Sequence, residues 1–197
     1  MCLLIETIRV QDGLLQAVDA HERRMAKARM DMFGARDALR LDGIIVPPEH
    51  ACGRVKCRVV YGTTIESVEF EPYKPRTVRS LRLVRDDDIS YPHKFFDRRI
   101  FEDLLAKRGS CDDILIVKNG LITDTSFSNI AFDDGSGWIT PASPLLPGTM
   151  RERLLAQGLI REEEIRPRDL WIFRRACLIN AMLDFGECLI NLDRISW

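Results

Sequence analysis

The stretch YPHKFF, residues 91–96, sets Lys94 beside His93 and the rings of Phe95 and Phe96. Two chemistries are open to such a lysine. In water it is a solvated cation. Among apolar groups and other cations it shifts toward the neutral amine, because burial and like charge both disfavour the ammonium. A neutral amine attacks carbonyls and forms Schiff bases. The segment PLLPGTMRERLL opens a helix at Gly148, with the backbone N–H groups of Thr149 and Met150 at its positive end. That arrangement suits a phosphate, or Thr149 is simply the cap. In LITDTSFSNIAF, Asp124 closes a strand. A carboxylate there pairs with a protonated ring nitrogen, or organises its own turn. LINAML offers a second turn of small residues at Asn180 and Ala181. Toward the N-terminus, His21 and Arg24 are spaced i, i+3 on one helix face, where Arg24 is either a phosphate clamp or a surface cation. Arg58 lies within KCRVVYG and either holds a substrate carboxylate or is structural. Each residue has an ordinary explanation. Together, those of the second half suit one anionic, nitrogen-containing ligand.

The elements that position these residues follow from patterning. CLLIETIRV alternates as a strand, QDG turns it, and LLQAV begins a second strand. DAHE has the form of a capping box, with Asp19 as cap and Glu22 three residues on. It predicts a helix running to Gly34 as the C′ residue. VPPEHACG is a loop, RVKCRVVYG and ESVEFEPY are adjacent strands, and RSLRLVR is a third. DDDISYPHK is a connector that divides a small lobe, residues 1–88, from a larger lobe, 89–197, that carries the lysine. Beyond it, FFDRRIFEDLLAKRG has helical spacing, and DDILIVKNGLITD is a hairpin about Asn-Gly. SNIAFDDGSGWITPA is a second hairpin, GTMRERLLAQG and RDLWIFRRA are helices, and CLINA is a buried strand. Strands and helices mix without βαβ alternation, so the class is α+β.

Composition narrows the function. The chain has 197 residues, a net charge of −1 and 46% hydrophobic residues. A balanced charge excludes an electrostatic nucleic-acid binder, which must be basic. No apolar run approaches the ~20 residues of a membrane span, and MCLLIETIRV lacks the basic region of a signal peptide. Six cysteines are scattered without a CxxC pair, and the three histidines share no metal-ligand spacing with them. No metal is expected, and the location is a reducing cytoplasm.

In order along the chain, ETIRV, HERRM, KCRVVYG, HKFFDR, DDILIVKNGLITDTSFSNIAF, LLPGTMRERLL and CLINAM resemble the class IV, fold type IV enzymes of pyridoxal phosphate (PLP). That family includes branched-chain and D-amino-acid aminotransferases and aminodeoxychorismate lyase. The resemblance implies a two-lobed fold with PLP between the lobes and a homodimer whose partner helps complete the pocket. It makes Lys94 the covalent PLP lysine, Arg24 a phosphate ligand, and Gly148, Thr149 and Met150 the helix entry donating to that phosphate. Asn180 and Ala181 form the second phosphate-side turn, and Asp124 stands where the family places a glutamate against the pyridine nitrogen. Arg58 and Arg98, the latter from HK-x-x-x-R, become substrate-binding candidates.

The departures bear on substrate. Asp124 is one methylene shorter than glutamate, and Arg99 stands five residues past the lysine where some members carry tyrosine. The resemblance starts and stops short of many members, which removes part of an aminotransferase pocket. The expected activity is therefore the lyase that converts 4-amino-4-deoxychorismate to 4-aminobenzoate and pyruvate, in folate biosynthesis. The alternatives are an aminotransferase for branched-chain or D-amino acids, and a non-catalytic binding protein of the same fold.

Overall fold

The computed structural model describes residues 2–197. The chain forms two compact units, the first from residues 1–75 and 93–97, the second from 76–92 and 98–197. The sequence places the division after residue 88. Lys94 instead goes with the first unit, because its segment hydrogen-bonds to the start of the first strand.

The first unit is an antiparallel sheet in the order β2-β1-β3-β4, built from β1 (Leu4–Gln11), β2 (Leu14–Leu15), β3 (Arg54–Tyr61) and β4 (Ile65–Pro72). Leu4, Ile8 and Val10 alternate onto one face of β1, opposite Val55, Cys57, Val59 and Tyr61 of β3. Helix α1 (Val18–Phe33) lays Met25 and Ala28 into the same cluster. The helix stops where Gly34 takes the left-handed conformation and returns its N–H to Met30, as anticipated. Its start differs from the capping-box expectation. Ala17, at φ 52°, precedes the first turn and no side chain caps it. Glu22 turns instead to the Leu41 N–H at 2.7 Å and to Arg40, pinning the following loop.

The second unit contains two sheets. One has the order β13-β5-β6-β7, from β5 (Leu81–Arg85), β6 (Asp113–Lys118), β7 (Leu121–Thr125) and β13 (Ile195–Ser196). The other, β10-β9-β8-β11-β12, comprises β8 (Asn129–Asp133), β9 (Trp138–Pro141), β10 (Arg161–Glu163), β11 (Arg175–Ile179) and β12 (Leu189–Asn191). Strand periodicity sorts the side chains of β8 and β11 into two layers. Ile130, Phe132, Ala176 and Leu178 join Leu81, Leu83, Leu115 and Val117 in one core. Ala131, Cys177 and Ile179 face the other way and pack with Met150 and Leu154 of α3 (Thr149–Ala156).

Three local expectations change. RSLRLVR does form a strand, β5, but it belongs to the second unit rather than to the small lobe and pairs in parallel with β6. The helix after Lys94, α2, is shorter than expected and spans Arg99–Leu105, because Phe95 and Phe96 pair with the β1 end. RDLWIFRRA is a 3-10 turn at Pro167–Ile172. With Trp171 and Ile172 exposed, it has no apolar stripe to bury along a longer helix.

Candidate active site

In the first unit, Lys94 is held by its backbone. Ile5 donates to the Lys94 carbonyl at 2.9 Å and Phe96 donates to the Leu3 carbonyl at 2.9 Å, flanking the opposed pair Leu4 and Phe95. Opposed residues of an antiparallel pair share a face. Phe95 therefore follows Leu4 into the core, while Lys94 lies on the face of Ile5. The β1–β3 register opposes Ile5 to Val60 and Thr7 to Arg58, so Arg58 is on that face too. The two phenylalanines have different surroundings: Phe95 packs against the core and Phe96 is 49% exposed. His93 braces the segment from the other side, with Nε2 3.6 Å from Asp31 of α1 and its ring edge-on to Phe95.

Arg24 meets a residue whose role the sequence reading missed. Glu6 sits in the inward phase of β1, between Leu4 and Ile8, with no exposed surface. Its carboxylate accepts from Arg24 Nε at 2.9 Å, from Arg24 Nη2, and from His21 Nδ1 at 2.6 Å. Burial pushes this carboxyl upward, yet the Arg24 charge and the bonds from His21 and Arg24 outweigh it and hold the pKa at about 2. The signal was present. A glutamate in the apolar phase of a strand, followed by His-x-x-Arg on the next helix, calls for a buried partner.

The second unit joins Asp124 to the α3 entry through Asn129. Asn129 Nδ2 donates to Asp124 Oδ1 at 2.7 Å and to the Leu146 carbonyl at 2.8 Å, while its Oδ1 accepts the Gly148 N–H at 3.1 Å. Leu146 N–H donates to Asp124 Oδ2 at 3.0 Å. These hydrogen-bond partners of Asp124 are neutral, and burial outweighs them and the charge of Arg151, pushing its pKa up to about 6. A cationic group placed against this carboxylate would recover what burial costs. Gly148, at φ −80° and ψ 146°, occupies backbone open to any residue. Glycine is needed there because a Cβ would fall 2.2 Å from Asn129 Oδ1.

Gly148, not Thr149, is the N-cap of α3, and no side chain caps the helix. The first-turn N–H groups, at the buried residues Thr149 and Met150, therefore sit at the positive helix end without a capping side chain. The β8–β11 register opposes Asn129 to Ile179, which brings Asn180 and Ala181 to the Asn129 end of that sheet. Asn180 Oδ1 accepts the Met182 N–H at 2.8 Å and fixes the turn. Arg98 is otherwise engaged. It donates through Nη2 to the Ser126 carbonyl and lies 4.9 Å from the Phe101 ring centroid, tying α2 to the turn just after Asp124.

The first unit thus carries an amine and an arginine held by a carboxylate, and the second an uncapped helix start and a buried carboxylate. A family model described as amino-transferase class IV matches residues 50–187. The chain belongs to the class IV aminotransferases. That family consists of PLP-dependent enzymes, and fold type IV is its fold. An uncharacterised protein of Haemophilus influenzae is 34% identical over 183 residues, which cover 91% of this chain and 97% of that protein. A crystal structure from Haemophilus somnus 129PT, provisionally assigned as a 4-amino-4-deoxychorismate lyase, superposes with a TM-score of 0.79 at 30% identity. It covers 92% of this chain and 97% of its own. The PLP-bound form of a hypothetical aminotransferase from Mycobacterium tuberculosis shares the fold, with a TM-score of 0.68 at 16% identity, over 98% of this chain and 81% of its own.

Proposed function

We propose that this class IV enzyme is the lyase that takes 4-amino-4-deoxychorismate to 4-aminobenzoate and pyruvate. The observation that carries the proposal is the likeness to the provisionally assigned Haemophilus somnus lyase, which runs nearly the full length of both chains. The same proposal makes the protein a cytoplasmic homodimer serving folate biosynthesis. Among the described residues no helix is long and apolar enough to cross a membrane.

The residues fit PLP on two structural counts, the uncapped buried start of α3 and a buried Asp124 whose hydrogen-bond partners are neutral. PLP, when bound, supplies an electron sink for carbanion chemistry. Lys94 is the attachment point, and its amine is the group that takes a proton from the substrate and returns one. Arg24 and the N–H groups of Thr149 and Met150 anchor the phosphate, with Gly148 allowing the helix entry its close approach to Asn129. Backbone at Asn180 and Ala181 closes the phosphate side. Asp124 keeps the ring nitrogen protonated, and Arg58, on the lysine's face of the first sheet, takes a substrate carboxylate. Arg98 holds the turn after Asp124 through Ser126 and serves the substrate only indirectly.

An aminotransferase acting on a branched-chain or D-amino acid is the competing activity, and the family's own description favours it. The test begins with the absorbance spectrum of purified protein before and after borohydride, followed by peptide mass mapping. A visible band lost on reduction, with a pyridoxyl adduct on Lys94, is the expected result. Pyruvate release from 4-amino-4-deoxychorismate without a keto-acid acceptor then identifies the lyase. Strict dependence on an acceptor rejects it.

A further inference from the structure

A carboxylate in the middle of the apolar face of β1 is an expensive choice. Leu4, Ile8 and Val10 occupy the neighbouring inward positions, all without exposed surface, and Glu6 is as buried as they are. Buried ion clusters are commonly replaced by apolar residues without loss of stability, so packing alone does not account for this one. What Glu6 does specifically is fix Arg24. It takes the Nε–Nη2 edge of the guanidinium in a paired contact and is itself fixed by His21 Nδ1, one turn earlier on α1. Because the guanidinium is planar, pinning one edge sets the direction of the opposite one.

We propose that Glu6, steadied by His21, is a positioning residue that aims Arg24 at the phosphate of the cofactor. The inference rests on the assignment of Arg24 as a phosphate ligand. An unpinned arginine loses side-chain freedom when it captures an anion. Here that loss is met when β1 and α1 fold together, and it is worth roughly tenfold in affinity. Glu6 also places a negative charge behind Arg24, which by itself weakens anion capture. Positioning is the larger effect in this proposal, and the test must separate the two.

The probes are PLP and pyridoxal, which lacks the phosphate, titrated spectroscopically against the full chain. Glu6→Gln is expected to weaken PLP about tenfold and leave pyridoxal unchanged. In an Arg24→Ala background the same substitution should change neither. His21→Ala removes one tie on Glu6 while keeping its charge and Arg24. It should weaken PLP severalfold, with His21→Asn, whose Nδ2 occupies the place of Nδ1, restoring it. These His21 variants keep the question answerable if Glu6→Gln fails to fold. Equal or tighter PLP binding in Glu6→Gln, or parallel losses for PLP and pyridoxal, overturns the proposal and leaves the cofactor assignment standing. A wild-type chain that binds no PLP overturns both.

Discussion

Replacing Gly148 with alanine adds one methyl group at a backbone conformation that alanine adopts freely. On backbone grounds it should be harmless, and removing a glycine usually stabilises by about 0.4–1 kcal/mol when the conformation allows. The structure predicts the opposite. The new Cβ would lie 2.2 Å from Asn129 Oδ1 and 3.4 Å from its Cγ. A side-chain end normally swings aside at little cost, but this one cannot do so alone. Its Oδ1 accepts the Gly148 N–H, and its Nδ2 serves both Asp124 and the Leu146 carbonyl. Displacing Asn129 forfeits two neutral hydrogen bonds and one to an acid, together roughly 3–5 kcal/mol. Urea unfolding of Gly148→Ala should show a loss of that order. The decisive measurement is the same substitution in an Asn129→Gly background, where the obstructing atoms are gone and Gly148→Ala should cost less than about 1 kcal/mol. A Gly148→Ala protein as stable as wild type would refute the argument. So would an equal loss in both backgrounds, since the damage would then not run through Asn129.

Two further outcomes are expected. Asp124 has a folded pKa of about 6 against an ordinary value of 3.8, so the native state holds its proton more tightly than the unfolded chain does. The cofactor-free protein should therefore lose stability as pH rises from about 4 to about 6 and lose no more above that from this group, a difference on the order of 3 kcal/mol. Unfolding of Asp124→Asn across the same window should lack that contribution, and an unchanged slope would place the titration elsewhere. Ala17 holds a left-handed conformation before α1 at φ 52°. Ala17→Gly relieves a strain of about 1–2 kcal/mol and adds unfolded-state freedom, for a net gain of up to about 1 kcal/mol. Thermal melting reads it, and a lower melting temperature would count against the strain.

Local patterning sufficed where a residue's neighbours in sequence decide its structure. Asn119 and Gly120 both take positive φ in the β6–β7 turn, as the Asn-Gly signal anticipates. Gly34 ends α1 for the same kind of reason. It failed where a distant partner competed. DAHE has the letters of a capping box, but Glu22 found the Leu41 N–H and Arg40 instead. RSLRLVR has the letters of a strand, yet nothing in them distinguishes a place in the first unit from one beside β6 in the second.

The sequence alone determined which chemistry the chain can carry: a lysine in HKFFDR, an arginine in HERR, an acid five residues before Asn-Ile, and a Pro-Gly-Thr helix entry. These are identities and spacings, and side-chain chemistry follows from identity. Only the tertiary structure decided what each group's surroundings make of it. Burial among neutral donors raises Asp124, whereas the same burial beside Arg24 and His21 leaves Glu6 ionised. The physical reason is that a carboxyl's pKa is set by the balance of desolvation against nearby charge and hydrogen bonds. That balance depends on residues 15 and 18 positions away for Glu6 and 22 positions away for Asp124, which only folding brings within reach.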